Sequence, residues 1–334
     1  MNPILVEHFR GNIVESFHRG VICVVDKDNK IVYEKGDISQ MCYPRSAMKY
    51  FQHIPLLTSG VFENMGFTEK DLAVMCGSHN GEKIHQDQVS QILEKSGLTT
   101  QFLKCGPQAP ALKKDYINLI RSGEVPKDIH NNCSGKHAGF LAYCQSNNLN
   151  TETYLNTDHP LQKEIKEVIS LIYEFPIDKL ENGMDGCSAP TYGMPVYNQA
   201  IAFKNLVYEN PKYDQKLIDA CKLIVKSVSD FPEMVAGTDR YCTDIMRITN
   251  GRIIGKTGAD GVYCLSVPDK NWGISIKIDD GKMGPQYIVA QELLLHLNLI
   301  SQQEADDLVK YHEIELKNFA GNTVGKSRAV NIRQ

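Results

Sequence analysis

Ser46 and Lys49 stand three residues apart in the stretch Cys42-Tyr43-Pro44-Arg45-Ser46-Ala47-Met48-Lys49-Tyr50. Pro44 and Arg45 read as a turn entering a helix. On a helix, a three-residue step stacks both side chains on one face, with Cβ atoms about 5–6 Å apart. A serine hydroxyl becomes a useful nucleophile only when a base removes its proton, and a desolvated neutral lysine amine can be that base. Free backbone N–H groups at a helix start can also steady a developing oxyanion. Alone the pair says little, because Ser-x-x-Lys is expected about once by chance in a chain of this size. Its meaning depends on its company.

Three further clusters supply that company. Ser78-His79-Asn80-Gly81-Glu82 follows a predicted helix as a small-residue turn and gathers hydroxyl, imidazole, amide and carboxylate. It can equally be read as a helix C-cap at Gly77 and a polar loop. Asn131-Asn132-Cys133-Ser134-Gly135-Lys136-His137 is the densest polar run and leads straight into apolar Ala138-Gly139-Phe140-Leu141. The plain alternative makes Ser134 the N-cap of the next helix. Asp185-Gly186-Cys187 is a third turn. Cys133, Lys136 and Cys187, with Asp185 or His137 nearby, could form a two-thiolate metal site, although Cys-x-x-Lys is not a standard zinc spacing. A lysine ligand would bind deprotonated, so such a site would weaken on acidification.

Gly255-Lys256-Thr257-Gly258 invites a phosphate-loop reading. That motif needs a glycine where Asn250 stands, so the reading fails. Lys-Thr-Gly at the end of a strand is the alternative, and beside an earlier Ser-x-x-Lys it is a pairing used by β-lactamases and penicillin-binding proteins.

The elements that must position these residues follow from pattern. The β-rich runs 4–8, 12–16, 21–25 and 31–34 predict an antiparallel meander with a hairpin near Asn29. From about 50 to 235 the signals are helical. Thr68 is a predicted N-cap with Phe67 and Leu72 as a staple, the stripe Val89, Ile92, Leu93 ends at Gly97, and Pro160 opens another helix. Leu217, Cys221, Val225 and Val228 mark a further one. Strands are predicted again at 252–255, 261–267 and 272–278, then a helix over 286–298. The polar tail 301–334 is expected to lose order at its end. Strands at both termini around a helical middle predict an α/β (α+β) protein. Its mainly antiparallel sheet is completed by N- and C-terminal segments, with an inserted helical subdomain.

At 334 residues, with 42% hydrophobic and 23% charged side chains, the chain can bury a large core. A net charge of -4 leaves no basic footprint for nucleic acid or anionic membrane. No run of 18 apolar residues predicts a membrane span. Met1-Asn2-Pro3-Ile4 shows no export signal, and ten scattered cysteines then fit reduced thiols in the cytoplasm.

Taken together, Arg45-Ser46-x-x-Lys49, Ser78-His79-Asn80-Gly81-Glu82, the Asn131–His137 run, Asp185-Gly186-Cys187 and Lys256-Thr257-Gly258 resemble the rhizobial-type (class 3, thermolabile type) L-asparaginases. The Asn-Asn-Cys-Ser-Gly-Lys-His run is the most specific piece, and the likeness spans about residues 5 to 330. The resemblance implies a serine β-lactamase/glutaminase-like fold, one catalytic domain over 1–334 and a homodimer. The sheet part would be about 1–50 and 240–334, and the helical part about 51–239. It implies that Ser46 with Lys49 is a first Ser–Lys tandem and Ser78 with Lys256 a second. It implies a zinc site at Cys133, Lys136 and Cys187, with Asp185 holding the metal's water.

The activity so implied is hydrolysis of L-asparagine to L-aspartate and ammonia through an acyl-enzyme on Ser46. Two lysines close together would lower each other's pKa and keep a neutral amine available. Arg45 and His79 are candidates for fixing the substrate carboxylate or shaping the pocket, and Asn132, Thr257 and Gly258 for binding substrate. Two rivals stand beside it: a penicillin-recognising serine hydrolase or glutaminase, and a non-enzymatic zinc-binding module. The β-lactamase Ser-Asp-Asn motif is absent, and Ser78-His79-Asn80 lies much closer to Ser46 than that motif would.

Overall fold

The run Ile13–Val25 folds as one continuous strand of 13 residues, where two short strands were expected. Its first residues are exposed, yet their backbone is satisfied because a neighbouring strand pairs with them along the full length. Hydrophobic pattern cannot register that pairing, which is why the polar middle read as a break.

The structure, a computed structural model, describes residues 1–333. Its strands are β1 (Ile4–Arg10), β2 (Ile13–Val25), β3 (Ile31–Lys35), β4 (Met41–Cys42), β5 (Glu181–Met184), β6 (Pro190–Pro195), β7 (Ile254–Thr257), β8 (Val262–Val267), β9 (Trp272–Ile278), β10 (Ile314–Lys317) and β11 (Thr323–Ala329). The chain divides into two compact units, one of residues 1–47, 194–208 and 244–334, the other of 48–193 and 209–243. No helix among the described residues is long and apolar enough to cross a membrane.

The first unit is built on an antiparallel sheet of order β10-β11-β1-β2-β9-β8-β7, with β3 also paired to β2. The β2–β3 hairpin turns at Asn29, whose φ of 63° and bond to the Asp26 carbonyl fit the expected turn. Val21, Cys23 and Val25 pack against Val196, Ala200 and Ile201 of the helix Val196–Asn205. The helix Pro285–His296 packs on β1, β8, β9 and β11. Both faces of the central strands are therefore covered, and the buried half of β2, residues 21–25, reads as an unbroken apolar run. The tail departs from expectation. Residues 301–333 carry a helix at Gln302–Asp307 and the strands β10 and β11, and β11 pairs with β1. The edge strand β10 and its neighbour β11 are mostly half-exposed or exposed and carry little apolar content, so composition concealed them. Gln334 lies outside the described residues.

The second unit is helical, with one hairpin of β5 and β6. Thr68 caps the helix Glu69–Met75, as expected, and does so in a reciprocal box with Asp71. Asp71 is buried and also receives Gln88 Nε2 and Lys95 Nζ, the latter at 2.8 Å. The helix Lys83–Lys95 buries Val89, Ile92 and Leu93, and Pro160 opens the helix Pro160–Ile172. The helix Ser134–Ser146 is buried from Ser134 to Cys144 and packs on both Glu69–Met75 and Lys83–Lys95. Its start lies so near the end of Glu69–Met75 that only Gly135 fits, since a Cβ there would overlap the Val74 carbonyl. That contact joins the Asn131–His137 run to the Gly77–Ser78 turn.

Candidate active site

In the first unit, Arg45–Met48 forms a 3-10 turn, and Ala47 N–H bonds the Pro44 carbonyl at 3.0 Å. Arg45 itself sits at φ 53°, a left-handed conformation that a non-glycine side chain resists and that re-aims the chain just before Ser46. Its guanidinium pairs with the Asp260 carboxylate. β7 ends at Lys256-Thr257, and Gly258 then passes against the Pro44 carbonyl so closely that a Cβ would collide with it. The Ser46 turn and the Lys-Thr-Gly strand end thus meet, although more than two hundred residues separate them in sequence. Lys256 is buried, its Nζ donating to the Thr257 carbonyl at 3.2 Å, and Thr257 Oγ1 lies 3.0 Å from Tyr287 Oη.

In the second unit, the helix Lys49–Gln52 continues from that turn and Lys49 is wholly buried. Its Nζ donates to the Gly77 carbonyl at 2.7 Å and the Asn132 carbonyl at 3.3 Å, and lies 2.9 Å from Ser78 Oγ. Lys49 therefore draws together the two polar clusters that sequence singled out. Ser78 N–H bonds the Val235 carbonyl at 2.7 Å and Asn80 N–H the Ala236 carbonyl at 3.0 Å, which fixes the Ser78 loop.

His79 is buried with both ring nitrogens in use. Nδ1 accepts Gly81 N–H at 3.1 Å, so Nε2 carries the proton and faces Ser134 Oγ at 3.2 Å. Ser134 Oγ in turn donates to the Ile129 carbonyl. This geometry makes His79 a holder of loops. The helix N-cap is Cys133, and Ser134 is the first helical residue, so the capping alternative placed the cap one residue late.

The third cluster gathers as well. Cys133, Lys136 and Cys187 are all buried, and Lys136 Nζ is 3.1 Å from Cys187 Sγ. The Cys133 thiol donates to Asn132 Oδ1 at 2.9 Å, and the neighbouring Cys133, Lys136 and His137 hold the Cys187 thiol well below its ordinary range. Cys133 is raised by its neighbour Cys187 and by burial. Burial opposes the Lys136 charge, but Cys187, Cys133 and Asp185 outweigh it and raise its pKa. Asp185 is half-buried, and its Oδ1 accepts Gly186 N–H at 2.9 Å. Among the described residues, no three His, Cys, Asp or Glu side chains converge as a metal site. Two sulfurs and one amine do converge, and a set of two thiols with one already inclined to thiolate suits a borderline-soft dication.

Other contributors left no signal in sequence. Gln108 Oε1 accepts Asn132 N–H at 3.0 Å, and Arg240 donates to Asn80 Oδ1 at 2.9 Å. Each is an ordinary polar residue in a loop, joined to the site by long-range contact alone.

His53, behind Lys49, is fully buried. Its Nε2 donates to the Met75 carbonyl at 3.0 Å, while Nδ1 has no partner among the described residues. Burial pushes its pKa down from 6.5 to about 3. Below pH 6.5 the unfolded chain therefore takes up a proton that the folded chain refuses. Stability should fall steadily from about pH 6.5 toward pH 3, and His53→Gln should flatten that slope, as read by urea unfolding at stepped pH. An unchanged slope would mean the folded protein ionises His53.

The fold and these clusters define a mixed α/β protein with a buried lysine–serine pair beside a thiol–amine group. The chain belongs to the L-asparaginase II family, which matches residues 6–329. No curated protein matches it. Among solved structures it is similar to Mglu, at 12% identity over 84% of this chain and 67% of that one, with a TM-score of 0.47. A beta-lactamase from Mycobacterium bovis shows 11% identity over 83% and 94%, with a TM-score of 0.39. A Bacillus glutaminase shows 12% over 84% and 91%, with a TM-score of 0.38. In two further Mglu structures the chain spans 61% of the other's length.

Proposed function

We propose that this protein hydrolyses the side-chain amide of L-asparagine, releasing L-aspartate and ammonia, with Ser46 as nucleophile and Lys49 as its base. The observation that carries this reading is the set of partners around Lys49 Nζ. The Gly77 and Asn132 carbonyls accept from Nζ and Ser78 Oγ is its third partner at 2.9 Å, so the amine is buried and held among oxygens where a proton can pass between it and a hydroxyl. Lys49 takes the Ser46 proton as Ser46 Oγ attacks the amide carbon, and backbone N–H groups steady the oxyanion. Ser78, bonded to Lys49, returns a proton to the departing ammonia. Water then attacks the acyl-enzyme and releases aspartate. Membership of the L-asparaginase II family supports asparagine as substrate. An ammonia-release assay with asparagine, glutamine and a chromogenic cephalosporin tests it, and turnover of the cephalosporin alone would overturn it.

We also propose that Cys133, Lys136 and Cys187 hold zinc, as the donor set allows. When bound, zinc would act as a Lewis acid that organises the pocket. Lys136 must lose its proton on binding, so affinity should rise with pH. Protein purified without added metal should carry about one zinc per chain by elemental analysis, and Cys187→Ser should carry about a tenth of that or less. Equal zinc in both would remove the site. Assembly as a homodimer belongs to the same reading, and sedimentation equilibrium decides it.

A further inference from the structure

We infer that His8 and His18, in the sheet unit, form a second binding site for one divalent transition-metal ion such as nickel or zinc. The Ser–Lys chemistry uses neither residue, and no other role for them emerges from the sequence. β1 and β2 pair with Val6 opposite His18 and His8 opposite Ser16, which sets the two histidines diagonally across neighbouring strands. Their Nε2 atoms face one another at 2.7 Å, with ring planes at 89°. Each ring is held from behind: His18 Nδ1 lies 2.6 Å from Asp280 Oδ2, and His8 Nδ1 contacts the Ser327 hydroxyl.

Proton accounting on this chain gives the ion its place. A carboxylate only accepts, so Asp280 holds a proton on His18 Nδ1, and in a neutral His18 ring Nε2 is then a bare lone pair. Ser327 can act either way. While its hydroxyl donates to His8 Nδ1, His8 carries its proton on Nε2 and shares it with His18. When Ser327 instead accepts, the His8 proton resides on Nδ1, and two lone pairs face each other. Facing lone pairs repel unless a cation stands between them. Metal-bound histidines are held in this same manner, with the remote ring N–H given to a carboxylate or another oxygen. Ion binding thus exchanges one His8 tautomer for the other and releases no net proton from neutral rings.

Imidazole nitrogens favour zinc, nickel and copper over magnesium or calcium. Around a tetrahedral ion with bonds of about 2.0–2.1 Å, the two nitrogens lie about 3.3 Å apart, so the rings must part by roughly half an ångström. The pairing of β1 and β2 shifts register between His8 and Phe9, and Asp280 is half-exposed, so the surroundings can give that much. Lys282 opposes the cation from nearby, and no third His, Cys, Asp or Glu joins the pair among the described residues. Solvent must complete the shell, which makes this an exchangeable site. Once filled, it ties β1, β2, β11 and the loop after β9 together.

The test is calorimetric titration of the chelator-treated full chain with nickel chloride at pH 7.5, with thermal unfolding followed in parallel. One equivalent should bind at the histidine pair and raise Tm, beside any taken up at Cys133, Lys136 and Cys187. His18→Gln should abolish that equivalent and the rise in Tm, whereas Cys187→Ser, at the other cluster, should keep both. Asp280→Asn leaves both ligands in place at a surface position and should weaken binding by about tenfold or more. The proposal fails if the His18→Gln protein, folded by circular dichroism, binds nickel like the parent. It fails equally if Asp280→Asn leaves affinity unchanged, or if Cys187→Ser removes the equivalent.

Discussion

Ser46→Ala should lower kcat for ammonia release from asparagine by about 10⁴-fold while leaving the unfolding midpoint nearly unchanged. Ser46 is only half-buried, so loss of its oxygen opens little cavity and strands no buried group. Lys49→Met should cost a similar factor in rate for a different reason. In the proposed mechanism the base is gone, and the Gly77 and Asn132 carbonyls and the Ser78 hydroxyl lose a shared partner in a dry environment. Unsatisfied buried groups cost about 1–3 kcal/mol each in such a setting, so this variant should also be measurably less stable. The split between the two substitutions is the informative result. Near-normal ammonia release by Ser46→Ala would show that another group attacks the amide. Lys256→Met, at the proposed second tandem, should fall between the parent and these two.

Gly135→Ala should destabilise the protein by about 3 kcal/mol, toward the upper end of what overpacking a core costs. A Cβ at Gly135 would stand 2.7 Å from the Val74 carbonyl carbon and overlap its oxygen. Neither partner can retreat easily: the helix Ser134–Ser146 is buried along eleven successive residues, and Leu72, Ala73, Val74 and Met75 are buried as well. The damage should reach activity too. This helix start carries Lys136 and follows Cys133, and the helix ending at Met75 leads directly to Gly77 and Ser78. Gly186→Ala is the control, because nothing lies within 4 Å of its added carbon. Equal urea midpoints for the two variants would contradict the close helix contact. Full activity in a destabilised Gly135→Ala would separate the contact from the chemistry.

Local signals in the chain suffice wherever one residue's chemistry dictates its own backbone. Thr68 caps its helix, Pro160 starts one, Asn29 turns the hairpin, and Trp272–Ile278 is a strand over the expected residues. Such features depend on neighbours a few positions away, and pattern reports those directly. The antiparallel α/β organisation was legible for the same reason, since apolar strands cluster toward both ends and helical periodicity fills the middle.

Long-range choices were not legible. Nothing in Ile13–Val25 announces that its exposed half is paired by β1, and nothing in the polar tail announces β10 and β11. The helix Val196–Asn205 looks like any other in the helical middle, yet it covers β2 and β9 in the sheet unit. The candidate site divides along the same line. Its residue types were visible: hydroxyls, lysines and thiols in three unusual turns. Tertiary structure alone decided that Lys49 Nζ lies beside Ser78, that the Gly77 and Asn132 carbonyls share the same amine, and that Gly258 meets Pro44. It also committed the His79 ring to Gly81 and Ser134, and the Arg45 guanidinium to Asp260. The physical reason is range. Side-chain chemistry and backbone preference are properties of a residue and its near neighbours, whereas hydrogen-bond partners are won in competition among every group that burial brings within about 3 Å.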